Sequence, residues 1–142
     1  MPTEPKTLRS AGGESDTILL VDDDADVREF VGSLLQREGY RVLETSGGLE
    51  ALHICARHEG PIHLLLTDVQ MPDMTGPELV PRALAIRPHL PVLYMSAQSS
   101  EAFHALLKSQ PAGAFIQKPF TPDALVKRVR DLLDSSKPNP PA

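Results

Sequence analysis

The chain has 142 residues, 41% of them hydrophobic and 23% charged, with a formal net charge of -5. That balance is the one expected of a single globular domain with enough core to stand without staples. The acidic excess argues against a protein that holds nucleic acid by bulk charge. The lone cysteine, Cys55, excludes a disulfide within the chain and reads as a small buried helix residue rather than a reactive thiol. No apolar run approaches the roughly 18 residues of a membrane span. Residues 1–17 lack the hydrophobic stretch of a secretory signal, so a cytoplasmic protein is the default expectation.

Both ends read as disordered tails. Residues 1–16 carry Pro, Gly, Ser and charge with little to bury, and residues 135–142 are proline-rich. The folded domain expected between them is 17–134. It opens with an apolar strand, Ile18–Val21. A helix follows in which Val27, Val31, Leu34 and Leu35 share one face, ending near Gly39. The second strand, Arg41–Thr45, is mixed in character and belongs nearer a sheet edge. A helix from Gly48 to about His58 is expected to turn Leu49, Leu52, Cys55 and Ala56 inward. Strand three is Leu64–Thr67. The helix after Gly76 accepts Pro77 in its first turn, but Pro81 lacks an amide donor, so the helix is expected to start late or bend there. Strand four is Val92–Met95, followed by a short helix marked by Phe103, Leu106 and Leu107. Strand five is Ala114–Gln117. A last helix carries Leu125, Val129, Leu132 and Leu133, with Pro122 near its start.

Five alternations of strand and helix make an α/β fold with a doubly wound parallel sheet covered by helices on both faces. In such sheets, sites form at the carboxyl ends of the strands, where the strand order reverses. Strand one runs into Asp22, Asp23 and Asp24. Strand three runs into Asp68, strand four ends at Ser96, and strand five runs into Lys118 and Pro119. Clustered carboxylates repel and raise one another's pKa, and a divalent cation relieves this. Ligands that are all oxygen suit a hard ion such as Mg2+, and no His or Cys grouping supports zinc. A carboxylate beside Mg2+ and a lysine is a suitable phosphoryl acceptor. The plainer reading of Asp22–Asp24 is a solvated turn and helix N-cap, with Asp26 as favourable first-turn charge.

In these residues the chain resembles the receiver domain of two-component signalling. The resemblance covers Thr17 to Asp134. It is carried by Ile18-Leu19-Leu20-Val21-Asp22-Asp23-Asp24, by Gly48-Leu49-Glu50-Ala51-Leu52, by Leu65-Leu66-Thr67-Asp68-Val69-Gln70-Met71-Pro72-Asp73-Met74-Thr75-Gly76, and by Lys118-Pro119-Phe120. It implies a flavodoxin-like sheet of order 2-1-3-4-5. Asp68 is implied as phosphoacceptor, with Asp23 and Asp68 as direct Mg2+ ligands and Asp22 acting near the ion. The Gln70 backbone carbonyl is implied as a third protein ligand. Ser96 and Lys118 are implied to contact the phosphoryl oxygens, and Phe115 is implied as the switch aromatic paired with Ser96. The segments Leu93-Tyr94-Met95-Ser96 and Phe115-Ile116-Gln117-Lys118-Pro119-Phe120 look like receivers at the C-terminus of hybrid sensor kinases. Ala97 and Gln98 depart from that subgroup, and Phe115 lacks the hydroxyl that many members carry.

The implied partner is a histidine kinase or histidine phosphotransfer domain. Weak or phosphorylation-dependent self-association is a further expectation, without direct nucleic-acid contact or membrane insertion. The output surface is expected on the helix around Phe103, strand five with Phe115, and the last helix with Lys127, Arg128 and Arg130. The length suits either a stand-alone regulator or a receiver cut from a larger kinase. Rival readings fail on residues. A calcium loop beginning at Asp22 would have Val27 where glycine is required and Ser33 where glutamate is required. The Asp-x-Asp-x-Thr/Val signature of haloacid-dehalogenase phosphatases fits neither Asp22 nor Asp24. No Gly-x-Gly-x-x-Gly turn follows strand one.

Overall fold

The computed structural model describes residues 16–96, 105 and 113–136. The tails at 1–15 and 137–142 and the helix expected around Phe103–Leu107 lie outside the described residues, apart from Ala105. In chain order the elements are β1 (Thr17–Val21), α1 (Ala25–Arg37), β2 (Arg41–Thr45), α2 (Gly48–Arg57), β3 (Leu64–Asp68), α3 (Gly76–Ile86), β4 (Val92–Ser96), β5 (Gly113–Gln117) and α4 (Pro122–Ser136). The strands form one sheet of order β2-β1-β3-β4-β5, and every pairing is parallel. The mixed strand β2 lies at an edge, as its composition implies.

Alternation along the strands divides the core into two layers. Leu19, Val21, Leu65, Val92, Tyr94 and Phe115 pack with Ala51, Cys55, Leu79, Val80 and Ala83, so α2 and α3 cover one face. Ile18, Leu20, Leu64, Leu66, Leu93, Met95 and Ile116 pack with Val31, Leu34, Leu35, Leu125, Val129 and Leu133, so α1 and α4 cover the other. Cys55 is buried in α2 as a packing residue. Helix α1 ends where Gly39 takes φ 99°: the Gly39 amide donates to the Gln36 carbonyl and the Tyr40 amide to the Leu35 carbonyl. This paired arrangement needs a left-handed residue, which glycine supplies. Helix α4 continues through Ser136, two residues beyond the expected end of the domain.

Two local expectations change. Leu49 is 63% exposed, and Ala56 also faces outward. Cys55 faces inward as expected and Leu52 packs partly buried against the same layer, with Gly48 and Ala51 completing the inward face of α2. A Cβ on Gly48 would stand 2.3 Å from Met74 Cγ, so the helix seats itself by its smallest residues and turns Leu49 out. Helix α3 starts at Gly76 without delay, although Pro81 is inside it. Thr75 and Glu78 form a reciprocal capping box: the Glu78 amide donates to Thr75 Oγ1 at 3.2 Å and the Thr75 amide to Glu78 Oε1 at 2.9 Å. That cap and the buried side chains Leu79, Val80 and Ala83 outweigh the one donor that Pro81 removes.

Gly76 is also fixed by contact. A Cβ there would lie 2.7 Å from the Asp68 carbonyl oxygen and 3.1 Å from the Tyr94 ring. Its amide donates to the Val69 carbonyl at 2.8 Å, which closes the loop after β3. The glycine eight residues beyond Asp68 therefore lets α3 begin directly against the backbone of β3. Gly76→Ala is expected to lower stability by about 1–3 kcal/mol. The readout is a lower urea midpoint at unchanged slope; an unshifted midpoint would show that this contact yields freely.

Candidate functional site

Strand register builds the site. Val21 and Thr67 are partners on β1 and β3, so the next residues, Asp22 and Asp68, emerge side by side. Asp68 pairs with Met95 and Ser96 pairs with Gln117, which places Ser96 one step, and Lys118 two steps, further along the rim. The site lies where the chain leaves β1 for β2 on one side and β3 on the other, the topological switch point.

Asp22, Asp23 and Asp68 each bring a carboxylate oxygen within 4.8 Å of the others. Asp22 is fully buried, Asp68 half-buried and Asp23 exposed. Lys118 Nζ stands 3.3 Å from Asp22 Oδ2 and 3.5 Å from Asp68 Oδ1. Burial raises the Asp68 carboxyl above the ordinary carboxylate range; Lys118 opposes this, Asp22 adds to it, and the Gln70 amide opposes it by donating to the carboxylate. When all three acids are ionised, Lys118 leaves two negative charges unmatched. That equals the charge of one divalent cation, and the donor atoms are all hard oxygens. The group therefore fits Mg2+, with Asp23 offering the solvent-accessible approach. The Gln70 amide bond to Asp68 places the Gln70 backbone beside the cluster.

The acidic run divides by residue between the two roles weighed for it. Asp24 is the N-cap of α1, accepting from the amides of Asp26 and Val27 at 2.9 and 3.3 Å. Asp26 supplies the first-turn charge. Asp22 and Asp23 belong to the cluster, and the Asp24 amide donates to Asp22 Oδ1 at 2.9 Å, orienting the buried carboxylate. Ser96 is buried at the end of β4, and the Lys118 amide donates to its carbonyl at 2.7 Å. Phe115 is not on the surface expected of it: it is 4% exposed and stacks on Tyr94 with centroids 4.8 Å apart and planes inclined by 22°. The strand register turns both rings into the α2–α3 layer. Burial pushes the Tyr94 phenol up to about 12. The last-helix cations are exposed but engaged: Lys127 pairs with Asp131, Arg130 with Glu38 at the C-cap of α1, and Arg128 donates to the Phe115 carbonyl. Phe103 lies outside the described residues.

Asp73 has a role that sequence reasoning did not assign. Its Oδ1 accepts from the Gly48 and Met74 amides, and its Oδ2 from Leu49. It thus caps α2 from a different loop, since the N-cap Gly47 has no side chain to do so. A helix opening on two glycines is the available sign that a cap must come from elsewhere. The amide of Leu49, then those of Gly48 and Met74, holds the Asp73 carboxyl below its ordinary range.

The comparisons agree with this geometry. The response regulator receiver domain model matches residues 18–130, and the chain belongs to that family. It is 33% identical over 120 residues to the sensor kinase CckA of Brucella abortus, covering 84% of this chain and 13% of that protein. It is 36% identical over 120 residues to the transcriptional regulatory protein CreB of Escherichia coli, covering 84% of this chain and 52% of that one. The chain thus spans about half the length, or less, of these curated relatives. The crystal structure of a CheY-like response regulator receiver domain protein from Methanospirillum hungatei superposes with a TM-score of 0.78 at 28% identity, covering 87% of this chain and 97% of that one. The chain is a receiver domain with a phosphoacceptor function in two-component signalling. Among the described residues no helix is long and apolar enough to cross a membrane.

Because the folded-state pKa of Asp73 is depressed, its contribution to stability is complete above the unfolded value of about 3.9 and is lost as pH falls through the folded value. Asp73→Ala is expected to cost about 1 kcal/mol or less at pH 7, the range of an exposed helix cap. The gap between parent and variant should narrow below about pH 4. Urea unfolding at pH 7 and at successively lower pH reads it; a gap that persists unchanged to low pH would remove the charged cap from the account.

Proposed function

We propose that Asp68 receives the phosphoryl group, with Asp22 and Asp23 assembling the Mg2+ site and Lys118 and Ser96 holding the phosphoryl oxygens. The observation that carries this reading is the convergence of three carboxylates with one lysine at the switch point of the sheet. An Asp68 carboxylate oxygen attacks phosphorus, the bond from phosphorus to the donor imidazole nitrogen breaks, and the electron pair leaves with the histidine. Mg2+ held there would neutralise charge on the phosphoryl oxygens, and the Gln70 carbonyl would serve as its third protein ligand. Lys118, already between Asp22 and Asp68, is placed to move its ion pair from a carboxylate to the incoming group. Ser96, at the end of the neighbouring strand, donates its hydroxyl to another oxygen. Autophosphorylation from small donors and self-dephosphorylation use the same groups.

The donor is a histidine kinase or histidine phosphotransfer domain in the cytoplasm. Its histidine must come within bonding distance of Asp68. Lys118 forms one wall of a cleft of about 430 Å³, whose other lining residues are Val27, Phe30, Pro119 and Phe120. Phe30 is 47% exposed although large and apolar, so this cleft is the surface on which we place the donor. Occupancy of Asp68 favours one arrangement of Ser96 and Phe115 and is read out on β5, α4 and the segment between β4 and β5. Phosphorylation-dependent self-association is one use of that surface. The unit that performs this is 17–134, whether alone or within a longer kinase.

Asp68→Asn should abolish labelling by a phosphorylated kinase and by acetyl phosphate; undiminished labelling of the variant removes the assignment. Asp23→Ala should weaken Mg2+ binding by at least about tenfold, measured by titration calorimetry, and equal affinity in both proteins would exclude Asp23 as a ligand. Phe30→Ala should slow transfer from a protein donor by about tenfold, a loss of about 1.4 kcal/mol of docking, with acetyl phosphate labelling unchanged. Equal loss with both donors would show that Phe30 supports the site rather than the partner.

A further inference from the structure

We infer that Tyr94 is a positioning residue: its ring holds Phe115, the switch aromatic of the reading above, in the inward position and joins that position to the loop that starts at Asp68. The inference rests on that reading of Ser96 and Phe115. Tyr94 and Phe115 are direct partners across β4 and β5, and their side chains emerge on the same face of the sheet. Their rings are stacked at 4.8 Å and almost fully buried, Tyr94 at 0% and Phe115 at 4% exposure. Ser96 follows Tyr94 by two residues, so strand alternation directs it to the same face.

Tyr94 also faces the acceptor loop. The space that a Gly76 Cβ would fill is bounded by the Asp68 carbonyl oxygen at 2.7 Å and by the Tyr94 ring at 3.1 and 3.2 Å. One ring thus stacks on the switch aromatic and borders the same space beside Gly76 that the Asp68 carbonyl borders. Arg128 donates to the Phe115 carbonyl, which anchors the β5 backbone beside the stacked ring. The Phe115 ring gains the stacking contact only when inward, so Tyr94 biases that arrangement by about two- to tenfold. The bias acts whether or not Asp68 is modified, so most Phe115 rings are already inward and occupancy of Asp68 shifts only the remainder. A Tyr94 that merely filled the core would stabilise the fold without affecting where Phe115 resides.

The test is the solvent exposure of Phe115, read by 19F NMR of fluorophenylalanine-labelled protein as relaxation enhancement from a soluble gadolinium chelate. This readout is independent of ring-current changes. The resonance is assigned by its loss in Phe115→Leu. In the parent, enhancement should be low with Mg2+ alone and change little on adding beryllofluoride. Tyr94→Phe keeps the stack and should match the parent. Tyr94→Leu should raise the enhancement severalfold with Mg2+ alone and fall back on beryllofluoride. If Tyr94→Leu leaves Phe115 as protected as the parent, or the parent ring is exposed until beryllofluoride is added, the inference is overturned. If beryllofluoride and Mg2+ move no amide at Asp68, Ser96 or Lys118 in the parent, the acceptor reading itself fails and the inference falls with it.

Discussion

The mutual repulsion of Asp22, Asp23 and Asp68 is the constraint on which this molecule is arranged. Carboxylates this close do not share a half-buried rim unless cations and amide donors are aimed at them. Lys118 reaches both buried-side acids, the Asp24 amide fixes Asp22, and the Gln70 amide serves Asp68. Even so, Asp68 remains a carboxylate whose ionised form is disfavoured by burial. Such a site suits a divalent cation and, under the proposed function, a phosphoryl group on Asp68, both of which change the charge that the surrounding groups oppose.

The rest of the fold delivers these groups. Strand register puts Asp22 beside Asp68 with no help from loops, because each is the first residue past a paired row. The loop from Asp68 to Gly76 is then held at three points: the Gly76 amide on Val69, the Thr75–Glu78 capping box, and Asp73 bound to the start of α2. Packing is tightest where glycines stand. Gly47 faces Asp73, Gly48 faces Met74 and Gly76 faces the Asp68 carbonyl, so the glycines mark where helices close on the rim. The two hydrophobic layers hold the sheet while the helix starts surround the acids.

Much of this was legible in the order of residues because it depends on local rules. Strand positions agree within one residue at each end, since aliphatic runs bounded by acids, Gly and Pro have few other uses. Asp22, Asp68, Ser96 and Lys118 could be grouped because a parallel sheet puts all strand ends on one rim. The misread parts depend on tertiary packing. Leu49 was expected inward from periodicity, but the close approach of Met74 to Gly48 sets the rotation of α2. Pro81 was expected to delay or bend α3; the start is not delayed, because the cap at Thr75 fixes it at Gly76, ahead of Pro81. Phe115 was expected at the surface, and only the pairing of β4 with β5 reveals Tyr94 as its neighbour. Asp73 acts across 24 and 25 residues of sequence on amides that carry no side-chain signature.

The central claim is that Asp68, rather than either of its acidic neighbours, carries the phosphoryl group, with the ion held between Asp23 and Asp68. A crystal structure of the protein grown with Mg2+ and beryllofluoride tests this directly. The account predicts beryllium bonded to an Asp68 carboxylate oxygen, with fluorines on Lys118 Nζ and Ser96 Oγ. It also predicts an octahedral ion ligated by Asp23, Asp68 and the Gln70 carbonyl. Beryllium on Asp22 or Asp23, or an ion bound away from these residues, would contradict it.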